Sequence, residues 1–275
     1  MAITDVSSDI SADLGLRFLG VGNSQAHRLG SSAAVLEAGH RPWLLIDCGP
    51  TTLEAHLETY SAPPSALFIT HAHFDHIGGL EGLYYRLATA TPRLPPVKLF
   101  VPVALITVLQ RRLADYPCLL AEGGSNFWDV FQLIPVSDGF WHRGLHFTVF
   151  SVRHHEHLSA FGLALEGRFL FTGDTRPIPE VLNRYARRGE WIFHDCGVEP
   201  NPSHCGLDEI RTEYSPDQCQ RMVIYHYESE QAAEQIRRTG LRIARRGECF
   251  DLQPLSVASA APSLEIVAPV PATAP

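Results

Sequence analysis

His71-Ala72-His73-Phe74-Asp75-His76 sets three imidazoles and a carboxylate within six positions, directly after the apolar run Leu67-Phe68-Ile69-Thr70. Such groups are costly to hold together unless a cation compensates their lone pairs and charge. If Thr70 leaves a strand, period-two alternation throws His71 and His73 to one side. Asp75 and His76 then open the next helix and point back into the same cleft. Imidazole with carboxylate is a donor set for zinc, iron or manganese. The stretch predicts a metal centre at a strand end.

The chain on either side repeats one pattern. Residues 16–21 and 33–37 read as strands joined by a Gly/Ser/Asn loop, and 43–46 is a third, ending at Asp47-Cys48-Gly49-Pro50. Residues 51–60 look helical, and Pro63-Pro64 breaks that helix before the strand that carries the histidines. The helical period continues over 78–88 through Leu80, Leu83, Tyr84 and Leu87. A strand at 97–101 and a helix from Pro102 to about residue 116 follow. Further strands are expected at 131–136, 145–152, 161–166, 168–172, 191–195 and 222–225, with helices at 179–188, 207–214 and 230–239. This order predicts an α/β fold in which two mixed β-sheets lie face to face with helices outside, a four-layer αββα sandwich. One domain is expected over 1–254. The Ala/Pro-rich stretch 255–275 lacks charge and periodicity and reads as a disordered tail.

Composition narrows the function. The 275 residues are 45% hydrophobic and 19% charged, with a formal net charge of -8. Proteins that grip long polyanions show a basic face, whereas the pairs Arg111-Arg112, Arg187-Arg188, Arg237-Arg238 and Arg245-Arg246 read as solvated helix faces. A small-molecule substrate is expected, and structured nucleic acid is not. The six cysteines form no C-x-x-C pair, which argues against a zinc knuckle or a disulfide scaffold. The polar, acidic start lacks the apolar core of a signal peptide, and no run is long enough to span a membrane. A cytoplasmic protein is the expectation.

With His71-x-His73-x-Asp75-His76 at its centre, the chain resembles the metallo-β-lactamase superfamily of hydrolases. Leu45-Ile46-Asp47-Cys48-Gly49 is similar to that family's first motif, whose Asp supports the metal loop from behind. Phe171-Thr172-Gly173-Asp174-Thr175 is similar to the motif that supplies a bridging aspartate, and His226, after Met222-Val223-Ile224-Tyr225, matches the final histidine ligand. The resemblance implies two divalent metal ions, zinc first, with iron or manganese as alternatives. It assigns His71, His73 and a later histidine to one ion, Asp75, His76 and His226 to the other, and Asp174 to both. Val152-Arg153-His154-His155-Glu156-His157 must supply the missing ligand. Alternation places His154 and His155 on opposite faces without saying which face meets the metal. The distance to Ser159-Ala160-Phe161-Gly162, compared with the family's, favours His155 over His154 and His157. Two such ions share a hydroxide and polarise the scissile group, which implies metal-assisted hydrolysis that depends on Asp75.

Leu16-x-Phe18-Leu19-Gly20-x-Gly22, then Gly30-Ser31-Ser32, resembles the branch that contains ribonuclease Z and related phosphodiesterases. In that branch a carboxylate and a nearby histidine serve the scissile phosphate, which here implies Asp195 and His204, the histidine protonating the leaving oxygen and the aspartate orienting it. His27 is a candidate substrate contact in the glycine-rich loop. A basic arm for clamping transfer RNA is missing, and Tyr225 replaces the usual threonine before the last histidine. The expected substrate is therefore a small phosphodiester of cyclic nucleotide or cyclic phosphate type. A lactone or thioester hydrolase, a di-iron oxygen-dependent enzyme and a non-catalytic binding protein are the alternatives. Pairing into a homodimer is also expected from the superfamily.

Overall fold

The runs rich in Val, Leu, Ile and Phe form two seven-stranded sheets in the computed structural model, which describes residues 13–115 and 126–253. The expected tail, 255–275, lies outside the described residues. One sheet contains β1 (Leu14–Gly20), β2 (Ala33–Ala38), β3 (Arg41–Ile46), β4 (Ala66–Phe68), β5 (Val97–Pro102) and β6 (Phe131–Val136). The other contains β7 (Gly139–His142), β8 (Leu145–Ser151), β9 (Phe161–Leu165), β10 (Phe169–Phe171), β11 (Trp191–Asp195), β12 (Met222–Tyr225) and β13 (Arg242–Ile243). A last strand, β14 (Cys249–Asp251), returns to the first sheet and pairs with β1.

Both sheets share one plan. The strands β14-β1-β2-β3 run antiparallel, and β3-β4-β5-β6 run parallel. In the second sheet β7-β8-β9-β10 are antiparallel and β10-β11-β12-β13 parallel. Parallel neighbours need long crossovers. These are supplied by α1 (Thr52–Tyr60), α2 (Phe74–Ile77), α3 (Leu80–Ala88) and α4 (Ile106–Leu109) in the first half, and by α5 (Pro179–Tyr185), α6 (Leu207–Glu213), α7 (Pro216–Arg221) and α8 (Glu230–Arg238) in the second. The result is the expected αββα sandwich, and the parallel strands of each sheet end on a common edge.

Aromatic rings join the two inner faces. Phe18 of β1, fully buried, lies 5.5 Å from Phe193 of β11, 5.6 Å from Tyr225 of β12 and 6.3 Å from Phe171 of β10, centroid to centroid. At the other flank Phe140 of β7 stacks on Phe100 of β5 at 4.1 Å and on Phe68 of β4 at 5.8 Å. Rings of this size dominate core energetics, and truncating one costs about 3–5 kcal/mol.

Several elements depart from the sequence reading, which has no strand at β7, β13 or β14. The expected helix over 102–116 is instead a 3-10 turn (Val103–Leu105), the short α4 and a π turn (Gln110–Ala114). β7 forms a hairpin with β8 in which Arg143 and Gly144 both take positive φ, 49° and 78°, as a type I′ turn demands. α7 opens with Ser215-Pro216 and Gln218, whose side chains and backbone close a capping box, a signal also present in the sequence.

The buried side of α1 carries a pH-sensitive group. His56 is fully buried, its Nδ1 donates to the Ala62 carbonyl at 2.9 Å, and its Nε2 has no partner. Burial pushes its pKa down to about 4, with the Ala62 bond opposing the shift. The unfolded chain, with a histidine near 6.5, takes up a proton that the folded chain refuses. The stabilisation is present above about pH 6.5 and disappears as pH falls towards 4. Replacing His56 by leucine should flatten this part of the stability–pH curve, a difference of about 2–3 kcal/mol between pH 7 and 4 in urea titrations.

Candidate metal centre

At the end of β3 the chain turns through Asp47, whose φ of 62° is left-handed and costly for a side-chain-bearing residue. That turn aims the carboxylate at the loop after β4. Asp47 Oδ1 accepts from the Thr70 amide at 2.8 Å, and Oδ2 accepts from the Thr70 hydroxyl at 2.6 Å and from His76 Nδ1 at 2.8 Å. Gly49 is needed beside it, because a Cβ there would lie 1.9 Å from the Asp75 carbonyl oxygen.

These bonds fix the histidine tautomers. The single proton of the Thr70 hydroxyl goes to Asp47, so His71 Nδ1, 3.0 Å from that oxygen, must donate to it and its Nε2 is left bare. His76 donates through Nδ1 to Asp47, and its Nε2 is also bare. His154 Nδ1 donates to the Ser203 carbonyl at 2.9 Å, which leaves a third bare Nε2. His226, held with φ at 65° by its amide bond to the Val21 carbonyl, turns Nδ1 to Asp195 Oδ1 at 3.3 Å and Nε2 inward.

All these lone pairs converge on Asp174. Gly173, at φ 65°, makes the turn after β10 that presents it. Asp174 Oδ2 lies 3.2 Å from His226 Nε2, 3.3 Å from His76 Nε2, 3.6 Å from His71 Nε2 and 3.9 Å from His154 Nε2. His73 Nδ1 faces His71 Nε2 at 3.1 Å and His154 Nε2 at 3.2 Å, and Asp75 Oδ2 lies 3.5 Å from His76 Nε2 and 3.6 Å from His226 Nε2. His76 Nε2, His226 Nε2 and Asp174 Oδ1 are buried without a hydrogen-bond partner. Acceptors turned on one another in this way are satisfied by cations, and His71, His76, His154 and His226 are steadied from behind, as metal-binding histidines are.

Two quartets suit the ions, His71, His73, His154 and Asp174, and Asp75, His76, Asp174 and His226, with Asp174 common to both. A third group, Asp174, Asp195, His204 and His226, overlaps the second, and all donor atoms of a group lie within 4.8 Å of one another. Nitrogen with carboxylate oxygen fits a divalent transition metal. Burial opposes ionisation of Asp174, but without metal the imidazoles of His226, His76 and His71 can take protons in place of cations, and their attraction holds the carboxyl well below its ordinary range.

Of the three histidines after β8, the structure brings in His154, and the expectation at His155 is corrected. β8 buries Phe147 and Val149 of one alternation set and Phe150 of the other, and Val152 and His154 continue the set of Phe150. Between them Arg153 is pinned by its amide to Thr175 Oγ1 at 3.1 Å and by its carbonyl to the Arg176 amide at 2.8 Å. His155 is exposed on the rim, 3.2 Å from Ser203 Oγ, and His157 is exposed as well.

A second layer adjoins the quartets. His204 Nδ1 lies 2.7 Å from Asp195 Oδ2, which also accepts the Thr175 amide at 2.9 Å. An Asn201 turn, with its Oδ1 accepting the amides of Ser203 and His204, presents that ring. Burial works against a charged His204, but the Asp195 bond and the nearby carboxylates outweigh it and raise the pKa. Its Nε2 is free to face the cavity, about 570 Å³, that His73, Asp75, Asp174, His204 and His226 line together. His27 lies outside that cavity, and Asn23, Ser24 and Gln25 of the same loop border it instead.

Sequence reasoning missed Arg112, which it placed on a solvated helix face. The π turn swings it towards the site, where Nη1 donates to the Ala72 carbonyl at 2.9 Å and the guanidinium lies 5.4 Å from the Phe74 ring centre. Only the β-branched run Ile106-Thr107-Val108 hints that a regular helix would falter there.

The family model for "Anti-Pycsar protein Apyc1" matches residues 14–250. The chain belongs to the Apyc1 family. It is 31% identical over 222 residues to Anti-Pycsar protein Apyc1 of Paenibacillus harenae, a match covering 77% of this chain and 89% of the relative. The Apyc1 of Bacillus phage BSP38 is 28% identical over 264 residues, covering 86% and 98%. In fold, the Apyc1 chain is similar to the metallo-β-lactamase fold protein YhfI from Bacillus subtilis, with TM-score 0.68, 13% identity and coverage of 87% of this chain and 99% of that one. This Apyc1-family protein is a metal-dependent hydrolase built on the metallo-β-lactamase fold. Among the described residues no helix is long and apolar enough to cross a membrane, and the five described cysteines are free thiols.

Proposed function

We propose that this protein hydrolyses a small phosphodiester of the cyclic nucleotide or cyclic phosphate type, with two divalent ions, zinc first, held by the two quartets. The observation that carries this reading is the His204–Asp195 pair beside the converging lone pairs, because a hydrolysed phosphodiester needs both a strongly polarised phosphoryl group and a proton for its leaving oxygen. Bound divalent ions supply Lewis acidity and lower the pKa of water in the site.

The chain's own residues do the rest. His71, His73, His154, Asp75, His76, His226 and Asp174 would hold the ions and fix their place in the site. In the reaction the oxygen of water bonds to phosphorus and releases its proton to solvent, one P–O ester bond breaks, and the departing oxygen takes the proton of His204 Nε2. Asp195 keeps the ring aimed through Nδ1 and stabilises its charged form. Solvent then returns a proton to the imidazole.

The size and charge of the cavity support a small substrate. A volume of about 570 Å³ is in the range of small-ligand sites. Its border carries Glu199 and Glu228 and, among the described residues, Arg112 as its only arginine or lysine, which suits one phosphate and repels a polyanion. Free thiols agree with a reducing cytoplasm as its location, and pairing of two copies is part of the same reading.

The reading is tested by offering metal-loaded protein a cyclic nucleotide, a phosphomonoester, a lactone and a thioester in parallel. The cyclic nucleotide should be turned over at least 10²-fold more efficiently than the others, a gap of the size that a site built for one group achieves. Preference for the lactone or thioester would overturn it.

A further inference from the structure

A second cleft of about 320 Å³ opens beside the metal centre and meets the main cavity at His73 and Arg112. Its floor is shared with the metal centre, since His71, His73 and His154 line it, and His155, Glu156 and His157 border it. What it adds is an apolar wall, Leu105 and Val108 from the segment after β5 and Leu158 from the loop after β8. Val108 and Leu158 are 39% and 44% exposed, so apolar side chains face solvent beside a polar centre.

Leu158 is held there against its own preference. Its φ is 60°, a left-handed conformation that a leucine adopts only at a cost. The conformation points to a use for the side chain at that spot. Arg112 is fixed at the junction by the Ala72 carbonyl and forms no ion pair among the described residues. A guanidinium so placed can hold a phosphate oxygen on one side and lie along a flat ring on the other.

We infer that this side cleft receives the heterocyclic base of the substrate, packed between Val108 and Leu158, with Arg112 at the passage between base and phosphate. The inference rests on the phosphodiester reading and adds where the rest of the substrate lies. Apolar walls and a planar cation suit the π face of a base, and the shared residues His73 and Arg112 make the two spaces one continuous site. Phe74, 59% exposed beside Arg112, lines the main-cavity side of that passage.

The test compares a purine and a pyrimidine cyclic nucleotide with a base-free cyclic ribose phosphate, using the full chain loaded with zinc. In the unaltered protein the base-bearing substrates should show the lower KM. Leu158→Trp and Val108→Trp fill the cleft and should raise KM for the cyclic nucleotides about tenfold or more, leaving kcat and the base-free reaction within about twofold. Leu158→Ala should raise the same KM by a few fold, and metal content per chain should be unchanged in all three. Equal loss on both kinds of substrate, or no loss on either, would overturn the base subsite and leave the phosphodiester reading standing. No turnover of either kind by the zinc-loaded parent would overturn both.

Discussion

Asp174→Ala should lower turnover of a phosphodiester by roughly 10³-fold or more and reduce the metal bound per chain, while circular dichroism shows the fold retained. The carboxylate is the one donor common to both quartets, and four imidazole Nε2 atoms point at it from 3.2 to 3.9 Å. Without it, the first quartet keeps only three neutral imidazoles, and the second keeps only the Asp75 carboxylate to balance its cation. Asp174→Asn separates charge from shape, because it keeps the volume and one oxygen but loses the charge, and it should resemble the alanine variant in metal content. Elemental analysis gives a readout independent of catalysis. An alanine variant that still holds two ions at full activity would remove Asp174 from the centre.

His204→Ala should reduce kcat by roughly 10²–10⁴-fold with metal content unchanged. Its ring is tethered to Asp195 at 2.7 Å and stands outside the two quartets assigned to the ions, although it shares a third group with Asp174, Asp195 and His226. The discriminating measurement is dependence on the leaving group. A sugar alkoxide needs a proton as it departs, whereas p-nitrophenolate is stable without one. The loss should therefore be large for a cyclic nucleotide and small for an activated aryl diester. Asp195→Asn should show a weaker version of the same pattern, since it leaves the proton donor but loosens its aim. Equal losses on both substrates would make His204 a structural residue.

The fold and the first half of the site were legible because they rest on short-range rules. Alternation placed the strands, proline and glycine marked their ends, and His71, His73, Asp75 and His76 lie in one hexapeptide whose geometry follows from a strand passing into a helix. Asp174 and His226 could be read because the strand-end segments that carry them resemble known family motifs and follow the first cluster in the family's order. His154 could not be chosen over His155, because β8 buries residues of both alternation sets, so burial does not say which set meets the metal. Arg112 was hidden for a similar reason. A charged residue on a helical repeat reads as solvated, and only the extra residue of a π turn redirects it. The carbonyl of Ser203 that sets the His154 tautomer is invisible to any argument from side-chain type.

The seam between the sheets has a further consequence. The first sheet contributes His71, His73, Asp75 and His76, and the second contributes His154, Asp174 and His226. Neither half of the polypeptide carries a whole coordination sphere. Ion capture therefore acts as a rivet that can be set only after both halves have docked, so that during refolding metal uptake should trail closure of the aromatic interior, and a chelator should loosen the join before it melts either half.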